Sequence, residues 1–290
     1  MRLIETLING LSMGSTYAMI ALGYTMVYGI AKLLNFAHGD VIMVGGYMIY
    51  LAMLAVGNPV LGLLAAVVFC VLLGILVEKV AYKPLRGASP LAVLITAIGV
   101  SYLLQSLAQM IFGSAPKMVV VADLGNLEFA GLKVPYYTLI TLGCSIVIMV
   151  ALTLFVKYTR TGRAMVAVSE DRGAAQLMGI NVNAIITITF AIGSGLAAFA
   201  GFFMLMKSPS LSNTLGAMPG IKAFTAAVIG GIGSIPGAML GGILMGVVEA
   251  VSYTIPPIAP YTDAIEFLIL IIILLVKPSG ILGKVRREKV

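Results

Sequence analysis

Apolar runs long enough to cross a bilayer recur from one end of this chain to the other, separated by polar stretches of which 157–183 is the longest. A run of about 20 apolar residues matches the hydrocarbon thickness when helical, and a helix satisfies its own backbone polar groups where no water can. The windows fall near 7–30, 40–56, 59–79, 91–112, 136–156, 184–206, 237–254 and 263–277, with a shorter glycine-rich segment at 220–234. They predict an all-α polytopic membrane protein of eight or nine transmembrane helices, forming one domain over 1–290. Composition agrees, since 10% of the residues are charged against about 25% in soluble domains. The 33 glycines suit membrane helices, which associate closely through small residues. The first run, Leu7 to Ala31, is too long for a signal-peptide core, so it is expected to stay as a span.

Lysine and arginine set the expected orientation. Lys79, Lys83, Arg86, Lys157, Arg160, Arg163, Arg172, Lys277, Lys284, Arg286, Arg287 and Lys289 lie in the loops 79–90 and 157–183 and in the C-terminal tail. Arg2, Lys117, Lys133, Lys207 and Lys222 fall on the other side, with Lys32 between. The richer side is the cytoplasmic one, which places loop 157–183 and the C-terminus inside and the N-terminus outside. Even parity after Asn183 requires 220–234 to cross or to re-enter. The net charge of +7 is thus topology; no basic patch with interleaved aromatics suggests nucleic acid. Residues 113–135 alternate apolar residues with turn formers, as a connector or a short surface hairpin would.

The stretch Lys157 to Asn183 carries helix signals of its own. Ser169 is a candidate N-cap, and Glu170 and Asp171 stand at the positive end of the helix dipole. Gly179 sits where a left-handed C-cap is wanted. The expectation is a bounded helix of roughly nine residues, too short to persist in water without docking.

Two stretches at membrane depth break the helical pattern: Asn35-Phe-Ala-His38-Gly39-Asp40, and Gly230-Gly231-Ile-Gly233-Ser234-Ile-Pro236-Gly237. Irregular backbone in a membrane is tolerated where protein or a water-filled cavity surrounds it, and paired interruptions point to a transport pathway. Each precedes a small-residue run, Val44 to Tyr47 and Leu240 to Ile243, a weak hint of a repeat. Glu249 lies inside a span, either facing such a path or bonded to a neighbouring helix. Glu266 follows in the last span. Asp40 is placed to cap the helix after it.

Enzyme chemistry finds no support. There is one histidine, His38, and the two cysteines, Cys70 and Cys144, fall inside apolar runs, so neither a metal site nor a disulfide framework is expected. No P-loop pattern occurs, and Gly193-Ser-Gly195 lies in an apolar span where close packing explains it. No nucleophile elbow or multi-acid proton relay can be traced.

With these residues laid out, the chain resembles, nearly end to end, the H-type permease of bacterial branched-chain amino-acid ABC importers. Gly10 to Ala18, Asn35 to Asp40, Glu170 to Asn181 and Gly230 to Gly237 carry the resemblance. The third is similar to the loop that ABC permeases present to their ATPase, with glycine at 173 where the usual E-A-A pattern has glutamate, followed by Ala174, Ala175 and Gly179.

The resemblance implies a coupling helix seated in a groove of a separate ATPase. Ala167, Val168, Ala175 and Met178 would fill the groove, and Glu170, Asp171 and Arg172 would make polar contacts at its rim. It implies two ATPase subunits holding ATP and Mg, and no cofactor in this chain. Its other expected partners are a homologous second permease or a second copy, a periplasmic binding protein, and the lipid of the bacterial inner membrane. Other cargoes (urea, short amides, another amino acid) and a stand-alone carrier stay open, as does a coupling segment that rests on lipid instead.

Overall fold

A computed structural model describes residues 2–122, 125–129 and 132–283. Lys284, Arg286, Arg287 and Lys289 of the basic tail lie outside the described residues.

The helices follow the apolar windows closely: α1 (Arg2–Ala31), α2 (His38–Val56), α3 (Pro59–Val77), α4 (Pro90–Phe112), α5 (Tyr136–Tyr158), α6 (Arg160–Glu170), α7 (Arg172–Leu177), α8 (Val182–Lys207), α9 (Ala217–Gly230), α10 (Ile235–Thr254) and α11 (Thr262–Val276). Polar residues at the window edges mark where they start. Asn58 Oδ1 accepts from Val60 N at 2.9 Å and precedes Pro59 at the first position of α3. Ser89 does the same before Pro90 and α4, Asn181 caps α8 and Ser234 caps α10. Each side chain satisfies one of the four N–H groups that a helix start leaves without a partner. After Val77 the chain continues through a π-helical turn, Glu78–Tyr82, and a 3-10 turn, Lys83–Leu85.

Seven of these helices, taken with their adjoining turns, are long and apolar enough to cross a membrane: α2, α3, α4, α5, α8, α10 and α11. The 30-residue α1 is not among them, and its place in the bundle explains why. Ser12, Ser15, Thr16 and Thr25 are all buried on it, so its polar groups face protein instead of lipid. α9, with 14 residues, is too short to span alone.

The seam between α1 and α10 is the centre of the molecule. Gly10, Gly14 and Ala18 repeat every four residues on α1, as Gly242, Gly246 and Ala250 do on α10. A Cβ at Gly14 would stand 2.7 Å from the Cα of Ile243, and one at Gly10 2.8 Å from the Cα of Val247. Neither helix could approach so closely with larger side chains, which is the small-residue packing of membrane helices. Gly193 of α8 lies against Gly23 and Val27 of α1, and Gly74 of α3 against Ser194; packing accounts for the Gly193-Ser-Gly195 pattern. α8 and α10 are mostly buried inside the chain, whereas α3, α4, α5 and α11 keep most of their surface outward.

Residues 113–135 hold more than a connector. β1 (Lys117–Met118) pairs antiparallel with β4 (Ser210–Leu211), and β2 (Asn126–Phe129) forms a hairpin with β3 (Leu132–Pro135) in the register Asn126 to Pro135.

The basic loops gather at one end of the bundle. Arg86 donates to Asn183 Oδ1 and Arg172 to the Ala31 carbonyl. Ile281 N and Leu282 N donate to the Ile229 and Gly230 carbonyls at 2.8 and 2.9 Å. Loop 78–90, loop 157–183, the end of α1, the 230–237 break and the approach to the C-terminus therefore share this basic end. Lys32 belongs to it, and Lys222 does not: it lies inside the bundle, on α9.

Candidate functional site

The polar stretch 157–183 folds into two helices instead of one. Thr159 opens α6, its Oγ1 accepting from Gly162 N at 2.9 Å, and α6 runs on through Ser169. Ser169 is therefore no N-cap; its Oγ donates to the Val166 carbonyl at 2.8 Å. Asp171 takes that role two residues later, in extended backbone (φ −150°), with Oδ1 accepting from Ala174 N at 3.0 Å. The expected nine-residue helix is instead the six-residue α7. A carboxylate is a strong cap, and it breaks the helix where a serine at 169 would have begun one. Gly179 closes α7 as expected, at φ +79°. Gly179 N donates to the Gln176 carbonyl and Ile180 N to that of Ala175, both at 3.0 Å, the paired bonds of a Schellman motif.

The break at Asp171 also divides the expected apolar stripe. Val168 and Ala175 are buried within this chain, Ala167 is half-buried, and Met178 is 82% exposed. Val168 and Ala175 thus pack against their own bundle and are not available to fill a partner's groove. The apolar surface that α7 does present is Met178 with Leu177, which is 91% exposed. Leu177 was missed by stripe counting; its signal is two successive large apolar residues just before the closing glycine of a polar loop. Ala174, Glu170 and Asp171 stay on the outer surface. Arg172 does not join them at a rim. It turns inward, where burial and then the Arg86 charge push its pKa below the ordinary guanidinium value.

At the first interruption, the chain leaves α1 through Lys32 (φ +54°) and turns back alongside that helix. Asn35 Oδ1 accepts from Tyr82 Oη at 2.9 Å, so the π turn is what aims Tyr82 at the break. α2 then starts at His38, whose ring fills the space left by Gly23, eight residues or about 12 Å back along α1. His38, Gly39 and Asp40 are helical and fully buried. Asp40 caps nothing; the first turn of α2 has no side-chain cap, and the Asp40 carboxylate instead accepts from Gln105 Nε2 of α4 at 2.8 Å. Gly39 and Gly216 touch backbone to backbone, which brings the start of α9 against the start of α2.

At the second interruption only 231–234 leaves the helix, through Gly231 (φ +106°) and Gly233 (φ +95°). Gly230 and Gly237 pack on each other's backbone across the turn. Gly233, Ser234 and Pro236 face a cavity of about 570 Å³ at the basic end, shared with Gly29 and Lys32 after α1, Lys157, and Ser169 and Glu170 of α6. Asn35 and His38 border a separate void of about 10 Å³, room for roughly one water.

Glu249 is held by a residue that sequence spacing did not connect to it. Lys222 Nζ lies 2.9 Å from Glu249 Oε1, 2.8 Å from Asp263 Oδ1 and 3.3 Å from Glu266 Oε2. One cation thus joins α9, α10 and α11 through three carboxylates. Glu266 Oε1 is buried without a hydrogen-bond donor, and Glu266 Oε2 has the Lys222 ammonium as its partner. A lysine in a short glycine-rich apolar segment was the available signal, since a buried ammonium requires a partner. Among the described residues no three histidine, cysteine or acidic side chains converge as a metal site would need.

Comparison with known proteins completes the picture. The family model described as branched-chain amino acid transport system / permease component matches residues 6–274. The high-affinity branched-chain amino acid transport system permease protein BraD of Pseudomonas aeruginosa is 44% identical over 301 residues, covering 99% of this chain and 98% of that protein. The corresponding LivH of Escherichia coli K12 is 42% identical over 303 residues, covering 99% and 97%. Among solved structures, PsaBC from Streptococcus pneumoniae in complex with Fab aligns over 96% of this chain and 91% of that one at 15% identity and TM-score 0.45, a likeness too loose to build on.

Proposed function

The chain belongs to the branched-chain amino acid transport permease family, and from that premise we propose that it is the H-type permease subunit of an ATP-driven importer of leucine, isoleucine and valine. The observation that carries this is the end-to-end identity with permeases of that cargo. Two separate ATPase subunits supply ATP and Mg, a periplasmic binding protein delivers the amino acid, and a homologous permease completes the pair. The alternative of a second copy of this chain is decided by the same purification that tests the rest.

The basic end is the cytoplasmic face of the bacterial inner membrane, by the excess of lysine and arginine on that side. The seven apolar helices and α1 give eight crossings. α9 with the turn at 231–234 returns the chain to the basic end for a ninth, which leaves the N-terminus outside and the C-terminus inside. α7 then points at the ATPase. Its exposed Leu177 and Met178 are the anchors, worth about 1.5–3 kcal/mol each once buried in a partner groove, and Glu170, Asp171 and Ala174 surround them. The α1–α10 seam is packed too tightly to slip, so it moves as a unit. The path for cargo opens beside it, through the Asn35–Asp40 and Gly230–Gly237 breaks.

The test is purification of the complex in mild detergent followed by reconstitution. The expected result is two ATPases and a second permease travelling with this chain, with ATP-dependent leucine uptake. Leu177→Asp with Met178→Asp should release the ATPases and stop uptake. Leucine accumulation in liposomes that hold this polypeptide alone would overturn the proposal.

A further inference from the structure

The end of α1 is completed by a residue 141 positions away. A helix leaves its last four carbonyls without intrahelical partners, and here two cations take part in meeting them. Lys32 Nζ donates to the Gly29 carbonyl at 2.8 Å, and Arg172 Nη2 donates to that of Ala31. Both positive charges stand at the negative end of the helix dipole. Arg172 is the first residue of α7, so its guanidinium is fixed to the helix whose other side exposes Leu177 and Met178.

The last turns of α1 also meet both interruptions of the bundle. Gly29 lies against the Gly233 backbone, where an added Cβ would stand 3.0 Å from its Cα. Three residues beyond Lys32 is Asn35, held by Tyr82. A displacement of α7 is therefore passed to the end of α1, and from there to the 231–234 turn and the Asn35–His38 segment together. The burial of α6 through Met165 and Val168 gives α7 a second support.

We propose that Arg172 is the positioning residue that transmits motion of α7 to the end of α1, linking ATPase docking to the two breaks in the bundle. This rests on the reading that α7 docks an ATPase, and it changes the role of Arg172 from a contact with the partner to a tie within the permease. The guanidinium suits the task because it stays charged and its planar fork fixes direction, where an ammonium acts only as a point charge.

The experiment uses the complete importer in proteoliposomes with its binding protein, comparing wild type with Arg172→Ala, Arg172→Gln and Arg172→Lys. Leucine uptake, ATP hydrolysis and retained ATPase are measured on the same preparations. In the alanine and glutamine variants the ATPase is expected to stay bound and to keep hydrolysing. Uptake per ATP should fall about 5- to 150-fold, the usual span of a coupling free energy, and Arg172→Lys should recover part of it. Arg172→Gln and Arg172→Lys keep a hydrogen-bond donor, so they serve if the alanine variant does not fold. An unchanged ratio of uptake to ATP in any folded variant without the guanidinium overturns the inference alone. Loss of the ATPase from the purified complex also overturns it, by making Arg172 a docking contact. A wild-type complex that takes up no leucine would instead sink the transport reading.

Discussion

Two buried ionic networks sit at opposite ends of the bundle and are built on different plans. At the basic end Glu78 is fully buried, and both of its oxygens are met: Oε1 by Arg86, Oε2 by Thr187 Oγ1 at 2.7 Å. Arg86 also reaches Asn183, so the π turn, the loop after it and the start of α8 are braced together. At the far end Lys222 serves Glu249, Asp263 and Glu266, and Glu266 Oε1 is left without a donor. A buried charge is expensive unless its hydrogen bonds are complete. The basic-end network meets both carboxylate oxygens and leaves only Arg86 Nε without an acceptor, so it is the more complete brace. The acid-rich one holds its three helices together through one removable cation, so the same kind of loss should cost unequal amounts at the two ends.

The largest effect is expected from Lys222→Met. It strands Glu249 and Glu266 without their cation, a loss of about 3–5 kcal/mol seen as a lower unfolding temperature of the detergent-solubilised protein. Adding Glu249→Gln and Glu266→Gln to that variant should recover much of the loss, because the two buried acids are then neutral and Asp263 is half exposed to water. No recovery would mean that the three helices are held by packing and that the contrast between the two ends is illusory. Next comes Glu78→Gln, which keeps the shape but removes the charge facing Arg86. About 1.5–3 kcal/mol is expected, the worth of hydrogen bonds to charged groups, with faster amide exchange at the start of α8. A larger loss here than at Lys222 would reverse the comparison.

The smallest effects belong to the break between α6 and α7, where Glu170 and Asp171 are exposed. Asp171→Ala should cost about 1 kcal/mol as a lost cap, read as faster exchange confined to α7. Ser169→Ala should cost less, since its hydroxyl caps no helix. If Ser169→Ala loosened α7 more than Asp171→Ala did, the position of the break between α6 and α7 would be wrong.

Much of this was legible beforehand because it is local. The apolar windows located the long helices, and Gly179 takes the left-handed conformation expected of it. Where two local signals competed, sequence alone chose badly. Ser169 and Asp171 are both good caps two residues apart, and the winner depends on α6 continuing from Thr159, with Met165 and Val168 buried beneath it. The apolar spacing of Val168, Ala175 and Met178 suggested one face, but the extended backbone at Asp171 turned two of them inward and left Leu177 beside Met178 outside.

By itself the sequence determined the long apolar helices, the gathering of lysine and arginine in particular loops, and the family, since each depends on runs of neighbouring residues meeting lipid or water. Only the tertiary structure decided which charges meet: Lys222 with carboxylates on two later helices, and Arg172 with the end of the first. Those pairings follow from how closely the glycine seams let helices approach and in what rotation, and no spacing along the chain encodes that.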